Sequence, residues 1–264
     1  MSSYRRFEVK RACVQWVTVA FFLSLWFLAT DATRFISAGR FPSPSDVYQA
    51  ALQSLSDQGY AGASMGAHIV RSCRLILVGF FVAAAVGVPL GLLMGWSRTA
   101  RAAVNPVFSL LRPIPPLAWI PLSILWFGID DSAKIFVICL SAFVPCVINS
   151  YVGIRDVDPV LVEAARVHGA SKWNLLTKVL LPGSLPMIFT GLRIALQVCW
   201  SALVAAELVG SSHGLGHVLN LASLDLYPGM ILFAMGIVGL LGAAMTWALG
   251  MIESNLLRWT VRAN

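Results

Sequence analysis

Six long apolar runs, parted by short polar stretches, set the rhythm of this chain. They fall at about 13–30, 72–95, 105–128, 134–153, 184–208 and 230–252. Each is close to the roughly 20 residues an α-helix needs to cross hydrocarbon. Strict apolar–polar alternation over short segments, the mark of a membrane β-barrel, is missing from them. Backbone in hydrocarbon must satisfy its own hydrogen bonds, so the runs predict helices. The expected fold is all-α, a polytopic membrane protein of about six transmembrane helices. Its parts are a tail over 1–12, a first membrane helix over 13–30, an outer loop with a surface helix over 31–71, a core bundle over 72–252 containing a polar loop at about 156–183, and a tail over 253–264.

Residues within and between the runs refine this picture. In the second, Gly87, Gly91 and Gly95 recur every four residues and make one smooth stripe where another backbone can approach. The third holds Pro106, Pro113, Pro115, Pro116 and Pro121. Each removes an amide donor and disfavours helix at the preceding residue, so this span must kink or break. Broken backbone at membrane depth survives only when covered by protein or facing a water-filled cavity. The segment is either a pathway wall or a distorted helix used for packing. Ahead of the second run, Ser45 to Leu52 reads as a capped amphipathic helix on the membrane face.

Composition agrees with a bilayer. Of 264 residues, 58% are hydrophobic and 12% charged, more apolar side chain than a soluble domain of this length buries. The net charge of +7 comes from basic residues that flank the runs rather than forming one stripe, which favours membrane topology over nucleic-acid binding. With the amino terminus inside, Arg5, Arg6, Lys10, Arg11, Arg98, Arg101, Arg155, Arg166, Lys172, Lys178, Arg258 and Arg262 are inner, twelve of nineteen basic residues. Arg34, Arg40, Arg71, Arg74 and Lys134 are outer, with Arg71 and Arg74 at a helix mouth where long side chains snorkel. Both termini are therefore expected in the cytoplasm. Ala29-Thr30-Asp31-Ala32 lacks a small-x-small cleavage site, so the first run is expected as an uncleaved helix. Cys13, Cys73, Cys139, Cys146 and Cys199 stand singly and read as small buried hydrophobes.

The loop between the fourth and fifth runs reads as helix, turn, helix. Asp158 suits an N-cap, Pro159 a first turn, Gly169 a left-handed stop, Ser171 the next cap and Pro182 the end. Glu163-Ala164-Ala165, then Gly169 with three residues between, then Val179-Leu180-Leu181-Pro182 with nine residues between, resemble the cytoplasmic signature loop of ABC importer permeases. Phe41-Pro42-Ser43-Pro44, the stretch Arg112-Pro113-Ile114-Pro115-Pro116-Leu117-Ala118-Trp119-Ile120-Pro121, Trp126-Phe127-Gly128, Leu192-Arg193, and Ala205-Ala206-Glu207-Leu208 followed by Gly214-Leu215-Gly216 extend the likeness. Together they look like the branch that imports taurine, alkanesulfonates, nitrate and related solutes.

The resemblance implies a type I importer permease in a bacterial inner membrane, a homodimer with two ATPase subunits and an extracytoplasmic solute-binding protein. The signature loop would dock a coupling helix on each ATPase. Ala164, Ala165, Gly169 and Ala170 keep side chains small where surfaces approach, Glu163 offers a fixing charge, Arg166 and Lys172 suit acidic edges, and Leu181 and Pro182 end the motif. No G-x-x-x-x-G-K-[ST] occurs, so ATP and Mg are expected in the partner, with no cofactor, metal or catalytic residue in this chain. Surrounding lipid is the remaining expected partner.

For the pathway, the candidates are Arg112, Pro115, Pro116 and Trp119 in the third run and Arg193 and Glu207 in the fifth. An intramembrane charge is a functional hypothesis by default, yet both arginines lie near enough to a boundary to snorkel. Glu207 either gates the pathway, pairs with a cation or makes a polar contact at a helix end. His213 and His217 could share a metal on a helix, but Gly214 and Gly216 argue for a loop and only Asp225 lies near as a third ligand. Competing readings are a permease for an amino acid, osmolyte or oxyanion, a secondary transporter, which would need an inverted repeat and midplane carboxylates, and an intramembrane enzyme, for which Ser123, Ser141 and Cys139 lack a histidine partner.

Overall fold

The computed structural model describes residues 2–33, 41–54 and 59–257, with side chains from residue 14 onward. Arg34, Arg40, Arg258 and Arg262 lie outside the described residues, as do the side chains of Arg5, Arg6, Lys10, Arg11 and Cys13. The chain divides into two compact units, residues 1–65 with 218–237 and residues 66–217 with 238–264.

The first unit starts with α1 (Ser2–Phe27), which passes into a π-helical turn over Leu28–Ala32. Helix α2 (Pro44–Ser54) follows. The expected cap at Ser45 is supplied instead by Ser43. Its hydroxyl accepts the Asp46 N–H (3.2 Å) while the Asp46 carboxylate accepts the Ser43 N–H (2.9 Å), a reciprocal capping box with Pro44 between. Ser45 is freed to donate to Asp31 (2.6 Å), and the Trp26 indole donates to the Pro42 carbonyl (3.0 Å). The Tyr60 hydroxyl donates to Asp225 (2.6 Å).

The second unit holds α3 (Met65–Trp96), α4 (Arg98–Leu111), α5 (Ile120–Phe127), α6 (Asp131–Arg155), α7 (Pro159–Val167), α8 (Lys172–Leu175) and α9 (Leu181–Gly210). Next come α10 (Leu215–Leu224) and α11 (Pro228–Leu256). Among the described residues five helical stretches are long and apolar enough to cross a membrane: Val14–Ala32, Met65–Trp96, Asp131–Arg155, Lys172–Gly210 and Pro228–Leu256. A sixth is broken. Arg98–Leu111 and Pro116–Phe127 meet at 84°, where Pro113, Pro115 and Pro116 withdraw successive amide donors.

Two boundaries differ from expectation. Helix α3 starts at Met65, so Arg71, expected at the end of the outer loop, belongs to the helix. Arg71 donates to Asp131 (2.8 Å), which also pairs with Lys134 (3.5 Å), so α3 and α6 exchange charge there. Pro182, expected to end its helix, lies inside a helical stretch running from Lys172 to Gly210. Residues Leu176–Leu180 adopt π-helical turns just before it, and this altered hydrogen-bond spacing lets the chain pass a residue that has no amide to give.

Glycines set how closely the helices approach. A Cβ on Gly87 would stand 2.9 Å from the Cys146 Cβ, and one on Gly95 3.0 Å from the Ile154 Cβ. The stripe of α3 thus lies against α6. On the other side of α6, a Cβ on Gly153 would stand 2.9 Å from the Met187 Cβ of α9. Buried Val137, Ile138 and Cys146 of α6 and Leu196, Cys199 and Leu203 of α9 fill the centre. Helix α6 is the packed middle on which the functional segments rest.

Candidate functional site

The hairpin from Asp158 to Pro182 is built from short-range signals. The Asp158 carboxylate accepts the Val160 N–H (2.9 Å) and starts α7. The helix stops in a Schellman arrangement, with the Ala170 N–H on the Ala165 carbonyl (3.0 Å) and the Gly169 N–H on the Arg166 carbonyl (2.9 Å). Gly169 has φ +76°, where a side chain would be strained although the space around it is open. Ser171 then accepts the Asn174 N–H (3.2 Å) and starts α8.

Helix α7 has two apolar faces. One, Val162 and Ala165, packs on buried Val157, Leu175 and Leu180. The other is turned outward: Val160 is 69% exposed, Leu161 55% and Val167 85%, with Ala164 among them and Trp173 of the next arm 66% exposed. Glu163 and Arg166 are exposed along its edge. Of the residues expected to be small for contact, Ala164 and Gly169 face outward, whereas Ala165 and Ala170 are half-buried in the hairpin itself. Leu181 and Pro182 are half-buried at the start of α9, and Lys172 is exposed.

The expected pathway residues fall into three places. Arg112, Pro116 and Trp119 line a cavity of about 550 Å³ completed by Trp126, Phe136 and Asn149. Pro115 stands just before, extended (ψ 136°), and begins the tight turn over Pro116–Trp119. The walls are rich in aromatics: Trp119 and Trp126 stand 6.5 and 5.8 Å from Phe136 between centroids, with Phe127 packed behind it at 5.4 Å. Phe136 and Asn149 were not anticipated, though Phe136, Leu140, Phe143 and Val144 recur at helical spacing on α6 and carry the signal.

Arg193 lies apart, in a cleft of about 850 Å³ with Gln197, Trp200, Thr246 and Trp247, and is ion-paired with Glu253. Its charge is already answered.

Glu207 is wholly buried. Its carboxylate accepts the Ser72 hydroxyl (3.0 Å) and the Gly216 N–H (2.7 Å). Ser72 in turn accepts the Leu215 N–H (3.0 Å), and the His68 ring nitrogen accepts the Gly214 N–H (2.9 Å). Three consecutive amides at the start of α10 are thus satisfied by three side chains, with the negative charge at the positive end of the helix dipole. A Cβ on Gly216 would lie 2.6 Å from the Glu207 Cβ. Glu207 thus acts as a latch that ties this loop to α3 and α9.

The His217 imidazole is held below its ordinary value by burial, then by His213 and Lys134. Among the described residues no three His, Cys, Asp or Glu side chains gather as a metal site.

The family model described as "Binding-protein-dependent transport system inner membrane component" matches residues 87–262. The taurine transport system permease protein TauC of Escherichia coli (strain K12) is 37% identical over 92% of this chain and 88% of its own length. The nitrate import permease protein NrtB of Leptolyngbya laminosa is 35% identical over 81% and 78%. Among solved structures, an inward-facing form of the MetNI methionine ABC transporter superposes with a TM-score of 0.63 at 20% identity, over 72% of this chain and 94% of that one. This last likeness is one of fold.

Proposed function

Because the chain belongs to the family of inner membrane components of binding-protein-dependent transport systems, we propose that it forms the translocation pathway of an ATP-binding-cassette importer for a small anionic solute such as taurine, an alkanesulfonate or nitrate. The cargoes named for its relatives support that class. Two copies pair in the inner membrane with both termini and the hairpin in the cytoplasm. Two partner ATPases hold ATP and Mg and dock on the hairpins, and a solute-binding protein delivers cargo on the opposite side.

The outward apolar face of α7 carries this reading. A nine-residue helix needs one apolar face to pack on its own chain, and Val162 with Ala165 is that face. Val160, Leu161, Ala164 and Val167 make a second, which a polar setting leaves uncovered unless another protein sits on it. Motion reaches the membrane through the helical stretch Lys172–Gly210. Its 39 residues span roughly 58 Å at 1.5 Å each, against a hydrocarbon core of about 30 Å, so one arm of the hairpin is the unbroken continuation of a membrane helix. ATP-driven closure of the partners would tilt it between outward-open and inward-open packings. The pathway wall is the broken segment, with Arg112, Pro115, Pro116 and Trp119 beside the aromatic cavity. The ion pair of Arg193 and the latch of Glu207 support structural roles for those two.

Val167→Asp tests the reading. The variant is expected to insert in the membrane normally yet lose ATPase copurification and solute uptake. Copurification and uptake at the unsubstituted level overturn it.

A further inference from the structure

At the end of the bundle that carries the hairpin, two guanidinium groups converge on one phenol. Arg101 of α4 donates to the Tyr151 hydroxyl oxygen at 3.3 Å, and Arg155 of α6 donates to the same oxygen at 2.7 Å while lying 5.6 Å from the centre of the Tyr151 ring. Neither arginine is ion-paired to a carboxylate among the described residues. Like charges brought this close repel, and a phenol oxygen is a weak answer to two of them. The first turn of α4 adds Arg98 and no acid, at the positive end of a helix dipole. The cluster lacks an anion.

Its position says which anion. Arg155 ends one membrane helix, and Trp96, half a turn before Arg98, ends another. Gly95 packs against the Tyr151 carbonyl, and its neighbours Leu93 and Trp96 are both exposed, the pairing of interfacial tryptophan and apolar flank found where a span leaves hydrocarbon. From there a cleft of about 800 Å³ runs to Arg166 and Lys172, which flank the Gly169 turn of the hairpin. A free anion would use the charges and leave the apolar flank idle, whereas a phospholipid uses both.

We propose that Arg101, Tyr151 and Arg155 form a binding site for the phosphate of an anionic phospholipid. The two guanidinium groups each donate to its oxygens, the Tyr151 hydroxyl proton donates a third bond, and the acyl chains lie along Leu93 and Trp96. The lipid then ties α4 to α6 at the base of the hairpin.

The full chain in nanodiscs of phosphatidylcholine with and without phosphatidylglycerol tests this by native mass spectrometry. Wild type is expected to retain phosphatidylglycerol selectively. The Arg101→Gln/Arg155→Gln pair is expected to retain it roughly thirtyfold less, each basic residue near an anionic surface being worth around a factor of five. Millimolar inorganic phosphate should not displace the lipid. Tyr151→Phe, which keeps the ring, is expected to lose the rise in melting temperature that phosphatidylglycerol gives wild type. Equal retention by the glutamine pair overturns the site. Displacement by inorganic phosphate overturns the lipid assignment, as does unchanged lipid retention accompanied by lost ATPase copurification, which would make the cluster a protein contact.

Discussion

The two ends of the long helical stretch from Lys172 to Gly210 solve opposite problems. At its start the hairpin satisfies its own polar groups locally, through Asp158, Ser171 and the Gly169 turn, and leaves apolar side chains facing out. At its finish Glu207 draws polar groups inward from α3 and from the loop before α10, so that a carboxylate is buried and its hydrogen bonds are all made within the chain. On the proposed function one end is finished by a partner, and the other is finished by the chain itself. Substitutions on the outward face of the hairpin should therefore cost function without stability, and those at Glu207 stability before function.

The sharpest break of that contrast is Glu207→Ala. It strands the Gly216 amide and the Ser72 hydroxyl in a buried setting and should lower stability by about 3 kcal/mol, read as a fall in melting temperature of the purified protein. Glu207→Gln, which keeps one acceptor oxygen, should lose less. Gly216→Ala follows at about 2 kcal/mol, because its Cβ must force Glu207 aside. Gly169→Ala should cost about 1 kcal/mol, from left-handed backbone alone. Val167→Asp should change stability by no more than about 0.5 kcal/mol despite its effect on copurification. A large loss of stability there would erase the distinction between the two ends.

The smallest effect, away from both ends, sets a baseline. Burial first, and then the Asp225 carboxylate it bonds, raise the Tyr60 phenol above its ordinary value. The folded protein holds that proton more tightly than the unfolded chain, so this contribution is complete below about pH 10 and falls as pH climbs toward the raised value. Tyr60→Phe should flatten the alkaline loss of melting temperature.

Much of this was legible in sequence because the responsible residues are close together. Asp158, Gly169 and Ser171 act over two to five positions, and the apolar runs act over one helix. The third run was legible as broken through its prolines, but not as two helices at 84°. Pro182 misled because its ordinary effect is to stop a helix, and the π turns that carry the chain past it leave no compositional trace. Glu207 was ambiguous for a different reason. Its partner Ser72 is 135 residues away, and no local pattern distinguishes a carboxylate aimed into a pathway from one aimed at a backbone loop. The Ser43 cap was missed by two positions because Ser43 and Ser45 are chemically alike, and only the Asp46 reply separates them.

On the proposed function, the continuous helical stretch from Lys172 to Gly210 would transmit in both directions. A stiff rod does not know which of its ends was moved, and coupling between two binding events on one body is equal whichever is counted first. If nucleotide closure at the hairpin re-aims the far end, then whatever settles against the far end must in the same measure bias how readily the hairpin accepts its neighbour. Cargo arrival and fuel use would be reported along the same piece of backbone.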